Sequence, residues 1–308
     1  MTELTFKDPD IAGFRALLAG MAPDPADPPP TIEQRRASTD AWGESMPLPE
    51  GVVAEPVTLG GVPGVRHRPA TADAGGTLLY LHGGGYVTGS SRSHGAFVAH
   101  LAEAAGMMGV ALDYRLAPEH RFPAAMDDAV AAYRALLDEG AAPERLAVGG
   151  DSAGGGLTVA TALALKAQGL PQPGALYAIS PWADLTQSGA SYAGRCAERD
   201  PMITRAGLDD MAAAYLGGAD AHDPLASPVF GDLSGLAPLY IQCGGDEALL
   251  SDSLKLAEVA ALSGLEVRLE VWPEMIHVWP VFHRYLGAGR RAIADAAAWL
   301  RAHTGSGG

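Results

Sequence analysis

The sequence predicts an α/β protein whose mostly parallel sheet is covered by helices on both faces. Three observations carry this expectation: short uninterrupted apolar runs of strand length, helix-length segments alternating with them, and Gly-rich turns directly after two of the runs. Strands apolar on both faces that alternate with helices pair in parallel and are buried from both sides. The 308 residues, 48% of them apolar, are enough to build one large core of this kind.

Taken in order, Met1 to about Glu50 reads as an N-terminal appendage. It holds a helix from Asp8 to Met21, a break at Pro23, Pro25, Pro28, Pro29 and Pro30, and a second helix from Thr31 with Gln34 as its capping-box partner. Val52 to Leu59 and Val62 to Arg68, joined by Gly60-Gly61, read as a hairpin at a sheet edge. Six strands follow: Thr77 to Leu81, Met108 to Asp113, Leu146 to Gly149, Leu176 to Ser180, Leu239 to Cys243 and Val267 to Val271. Between and after them lie helices from Arg92 to Ala105, Pro123 to Leu137, Ala153 to Gln168, Ser251 to Ser263 and Gly289 to Ala302. Trp182 to Gly235 is too long for a plain loop and reads as a helical insertion with an amphipathic segment from Ala206 to Leu216. The expected organisation is a core over 51–181 and 236–303, a cap from 1–50 and 182–235, and a flexible tail over 304–308.

Lys and Arg number 21 against 36 Asp and Glu, a net charge of −15 with no basic cluster, which excludes nucleic acid and anionic membrane surfaces as partners. No apolar run approaches the roughly 20 residues of a membrane span, and the N-terminus lacks the basic start of a signal peptide, so a cytoplasmic protein is expected. Cys196 and Cys243 make no CxxC and read as free thiols; no metal or cofactor is called for.

The chemistry lies in the turns. Gly150-Asp151-Ser152-Ala153-Gly154 follows a strand and opens a helix, the setting that holds a serine Oγ above the sheet as a nucleophile. Chance produces roughly 0.2 such pentads in a chain of this composition, so the strand-turn-helix context carries the weight. A phosphate-binding turn is the alternative, and Asp151 opposes it. In His82-Gly83-Gly84-Gly85-Tyr86, consecutive glycines allow their N–H groups to converge on a developing oxyanion, while His82 alone reads equally as a backbone ligand. Ser152 needs a base and the base an orienting acid. Of His222, His277, His283 and His303, His277 lies in a loop just beyond a strand and is favoured; His283 is placed in the following helix. Asp246, directly after strand Leu239 to Cys243, is favoured over Glu247 as the acid because it is nearer the strand end.

These motifs, with Asp113-Tyr114-Arg115-Leu116-Ala117-Pro118-Glu119, resemble the hormone-sensitive-lipase-like (family IV) bacterial esterases of the α/β-hydrolase superfamily, over about residues 50 to 303. The resemblance implies an eight-stranded α/β-hydrolase fold with a helical cap and a catalytic triad of Ser152, Asp246 and His277. It also implies oxyanion donors among Gly83, Gly84 and Gly85, with Gly84 and Gly85 foremost, together with Ala153. Relatives often carry Asp-Pro-Leu at the acid, where this chain has Asp246-Glu247-Ala248-Leu249. Candidate substrate contacts are Tyr86, Asp151, Trp182, Met202, Tyr215 and Trp279. The expected activity is serine carboxylesterase on short- to medium-chain acyl esters. Hydrolysis of a monoterpene-type lactone, an arylformamidase, and a non-catalytic small-molecule receptor are the alternatives. A homodimer paired through an edge strand is consistent with the resemblance.

Overall fold

Thr77, Leu78, Leu79, Tyr80 and Leu81 are all buried, and their side chains divide between two cores. Leu79 and Leu81 join the cluster under α4 (Ala124–Asp138), α5 (Ala153–Ala167) and α8 (Leu250–Leu262). Leu78 and Tyr80 join the cluster under α3 (Ser91–Ala105) and α9 (Gly287–Thr304). This is the two-residue period of a strand sandwiched between helical layers. Each fully buried leucine contributes about 2 kcal/mol relative to exposure.

The structure is a computed structural model that describes residues 8–21, 28–70, 72 and 76–305. Its eight-stranded sheet comprises β1 (Val53–Leu59), β2 (Val62–Arg68), β3 (Thr77–Leu81), β4 (Met108–Leu112), β5 (Leu146–Asp151), β6 (Ala175–Ile179), β7 (Leu239–Gly244) and β8 (Val267–Trp272). The order is β1-β2-β4-β3-β5-β6-β7-β8. β2 is antiparallel to both neighbours and every other pairing is parallel. At the predicted edge hairpin, Gly60 and Gly61 take φ of +57° and +86°, as a two-residue turn of matching twist requires.

Two helices precede the sheet, α1 (Ile11–Gly20) and α2 (Ile32–Glu44), and α2 carries the predicted capping box between Thr31 and Gln34. The insertion contains α7 (Arg205–Leu216) as expected and also α6 (Gly194–Arg199), a six-residue helix too short to show periodicity. The tail is a correction: Thr304 is the buried last residue of α9 and Gly305 its left-handed cap, while 306–308 lie outside the described residues, as do Pro23 and Pro25 of the proline break. His283 also departs from expectation, ending a 3-10 turn (Trp279–Phe282) rather than lying in α9. Among the described residues, no helix is long and apolar enough to cross a membrane.

Candidate active site

The parallel strands all end on one edge of the sheet, where loops from distant parts of the chain meet. β3 leads into His82 to Gly85, β5 into Ser152, β7 into Asp246 and Glu247, and β8 into the loop bearing His277. His277 Nε2 lies 2.9 Å from Ser152 Oγ, a hydrogen bond between residues 125 positions apart. Both side chains are buried.

Ser152 sits at φ 54°, ψ −121°, a backbone state that costs a non-glycine residue about 1–3 kcal/mol. It is pinned by its N–H donating to the Ile179 carbonyl at 2.8 Å and by its own carbonyl accepting from the N–H groups of Gly156 and Trp182. A Cβ on Gly150 or Gly154 would collide with the Leu81 carbonyl, which explains the small residues flanking the serine.

Facing the serine, Gly84 and Gly85 have positive φ, and no acceptor among the described residues takes their N–H groups or that of Ala153 at the start of α5. Gly83 departs from expectation, because its N–H donates to Asp151 Oδ1 at 3.1 Å and is not available to an oxyanion. Asp151 is an anchor for this loop. It also accepts from the Tyr80 hydroxyl at 2.8 Å and lies 3.3 Å from His94 Nε2. Burial disfavours its charged form, but His94, Tyr80 and His82 more than offset that and hold its pKa below the usual value. His82 is itself a backbone ligand, with Nδ1 2.8 Å from the Gly83 carbonyl, and burial pushes its pKa down to about 3.

The acid is the main correction. Asp246 turns away from His277 and is gripped by three arginines: Arg15 of α1 at 3.1 Å, and Arg195 and Arg199 of α6 at 2.7 and 3.0 Å. The carboxylate facing the imidazole belongs to Glu247, whose Oε1 lies 3.9 Å from His277 Nδ1. These two atoms are buried and have no other hydrogen-bond partner, so a closure of about 1 Å brings both to bonding distance. Glu247 Oε2 is fixed by the Ser180 hydroxyl and the Gly244 N–H, each at 2.8 Å. Burial raises the Glu247 pKa, with His277, Gly244 and Ser180 opposing. Burial pushes His277 down, but Glu247, with smaller contributions from the charges of Asp200 and Asp151, outweighs this and its pKa is raised. The sequence did hold a signal: aligning Ala248-Leu249 with the Pro-Leu of the relatives' Asp-Pro-Leu places Glu247 at the acid position.

A family model for the α/β hydrolase fold matches residues 78–281. The chain belongs to the α/β-hydrolase family. It is 48% identical over 279 residues to an acetyl-hydrolase of Streptomyces hygroscopicus, covering 90% of this chain and 92% of that one. A crystal structure of an esterase from the bacterial hormone-sensitive lipase family superposes with a TM-score of 0.92 at 42% identity, covering 97% of this chain and 99% of that one. The structure of EstE5 soaked with p-nitrophenyl butyrate does so with a TM-score of 0.92 at 43% identity, covering 96% and 99%. Within the α/β hydrolases the chain is a hormone-sensitive-lipase-like esterase.

In this esterase a cavity of about 510 Å³ opens over Ser152 and His277. Of the six expected substrate contacts, Met202 and Asp151 line it. Tyr86, Trp182, Tyr215 and Trp279 do not; each is at most 1% exposed. Tyr86 and Tyr215 stack at 3.7 Å, joining the HGGG loop to α7. The apolar walls come instead from residues that no motif marks, among them Leu18, Trp42, Met211, Val281 and Phe282.

Proposed function

We propose that this carboxylic ester hydrolase cleaves short- to medium-chain acyl esters through an acyl-enzyme on Ser152. The observation that carries the reading is the 2.9 Å contact from Ser152 Oγ to His277 Nε2. In the proposed sequence the serine oxygen attacks the ester carbonyl carbon as its proton passes to Nε2. The carbonyl oxygen becomes an oxyanion beside the N–H groups of Gly84, Gly85 and Ala153, a kind of donor worth about 3–4 kcal/mol at the transition state. Collapse of this intermediate expels the alcohol, which takes the proton from His277. Water then attacks the acyl-serine with His277 again as base, releasing the acid. Glu247 serves as the orienting carboxylate, holding Nδ1–H and stabilising the imidazolium. Asp246 has no part in these steps.

Helices α1, α2 and α7 bound the cavity, and we treat them with α6 as a cap that limits acyl length. The acetyl-hydrolase relative and EstE5 soaked with p-nitrophenyl butyrate support a short acyl group. An intact serine-histidine contact favours an enzyme over a receptor. The test is a panel of p-nitrophenyl acetate, butyrate, octanoate and palmitate with a medium-ring lactone and an N-formyl arylamine. The expected result is highest kcat/KM between acetate and octanoate. Fastest turnover of palmitate, the lactone or the formamide would overturn the substrate reading.

A further inference from the structure

We infer that Arg35 makes the cavity selective for esters that carry a carboxylate remote from the scissile bond. This rests on the esterase reading above and adds the substrate's charge to it.

The cavity wall is largely aliphatic, sulfur-bearing and aromatic, and Arg35 is the one arginine or lysine among its described lining residues. Neighbouring arginines are committed. Arg36, the next residue of α2, grips Glu119 with both terminal nitrogens and donates to the carbonyls of Val87 and Ala117. Arg15, Arg195 and Arg199 hold Asp246. Arg92 pairs with Asp40 and Glu44, and Arg284 donates to the Ser45 carbonyl. The Arg35 guanidinium has no acceptor among the described residues, although the residue is half-buried against the cavity.

Nothing else in the described lining neutralises it. Asp151, the lining carboxylate, is held by Tyr80, Gly83 and His94. One turn along α2, the exposed Ser38 lines the cavity at its rim, and its hydroxyl has no partner among the described residues. A guanidinium is a fixed fork of donors matched to the two oxygens of a carboxylate. Set in an apolar wall with a hydroxyl beside it, it favours a ligand bringing one anionic group and an otherwise apolar body. The net charge of −15 sharpens the point, since the molecule as a whole repels anions and only a local cation recovers one.

The test compares matched esters with the anion on either side of the scissile bond. p-Nitrophenyl hydrogen adipate is set against p-nitrophenyl hexanoate, and 4-butyryloxybenzoate against phenyl butyrate, for the wild type, Arg35→Met and Arg35→Lys. The readout is the ratio of kcat/KM, carboxylate over neutral. In at least one pair this ratio falls about ten- to a hundredfold in Arg35→Met, through KM, and is partly restored in Arg35→Lys, as expected for a charged hydrogen bond. Equal change of both members in Arg35→Met, or no change in either pair, overturns the inference. Failure of the wild type to turn over the neutral esters would instead overturn the esterase reading itself.

Discussion

The floor of the cavity and its roof are held by different forces. The floor is backbone: strand ends, the strained Ser152 and glycines that admit no side chain, with Asp151 buried beneath as an anchor. The roof is helices tied down by side-chain ion pairs, with Arg36 on Glu119, Arg15 on Asp246, and Arg92 on Asp40 and Glu44. Arg36 is 26% exposed and Arg92 59%, and pairs of such exposure contribute at most about 1 kcal/mol each. A floor fixed by sterics keeps reacting atoms in register, while the roof hangs on exposed pairs of this kind and on one buried anion, Asp246. On the proposed reading, chemistry belongs to the first and selectivity to the second.

Substitutions on each side test that division. The largest effect is expected in the floor, where Ser152→Ala lowers kcat on p-nitrophenyl butyrate by about 10⁶-fold. Wild-type turnover by that variant would end the division. Next come the adjacent carboxylates. Glu247→Gln is expected to lower kcat/KM by about 10²–10⁴-fold, because the imidazolium loses its partner. Asp246→Asn is expected to cost less than tenfold in kcat/KM while lowering Tm, since it releases three arginines of α1 and α6 from a buried anion.

The pH profile gives a second reading of the same pair. His277 acts as a base only when neutral, and its pKa is raised, so kcat/KM falls as pH drops through a value above the ordinary imidazole pKa of about 6.5. In Glu247→Gln burial acts unopposed by that carboxylate, and the acid limb moves to lower pH. A limb that moves in Asp246→Asn and stays put in Glu247→Gln would reverse the assignment. The smallest effect belongs to the roof. Met211 of α7 packs on Gly85, and Met211→Ala is expected to shift preference toward longer acyl chains a few-fold in kcat/KM. A hundredfold loss of kcat on butyrate would show that the roof takes part in the chemistry.

The same contrast explains what the sequence disclosed. Local rules wrote the floor: the apolar period of β3, the glycines at 83–85 and the strand-turn-helix at Ser152 are each legible within a few residues. Nearness to the strand end picks Asp246, the wrong carboxylate, and only the alignment of Ala248-Leu249 with the relatives' Pro-Leu points to Glu247. The two carboxylates are neighbours in one loop, and what distinguishes them is an arginine from α1 and two from α6, brought in by tertiary packing. The apolar wall of the cavity is not legible in the same way. Tyr86, Trp182, Tyr215 and Trp279 are as aromatic as any pocket wall, yet they pack into the interior, whereas Trp42 and Phe282 line the cavity. An apolar side chain does not announce which surface it will face. Arg35 and Arg36 make the same point, since adjacent residues of one helix have opposite fates.

The central claim, that Ser152 carries the acyl group, is tested most directly by acid-quenching the enzyme within milliseconds of mixing with p-nitrophenyl butyrate and measuring its intact mass. The account predicts a butyryl adduct that maps to the peptide containing Ser152 and is absent from Ser152→Ala. An adduct on another residue, or one that persists undiminished in Ser152→Ala, would contradict it.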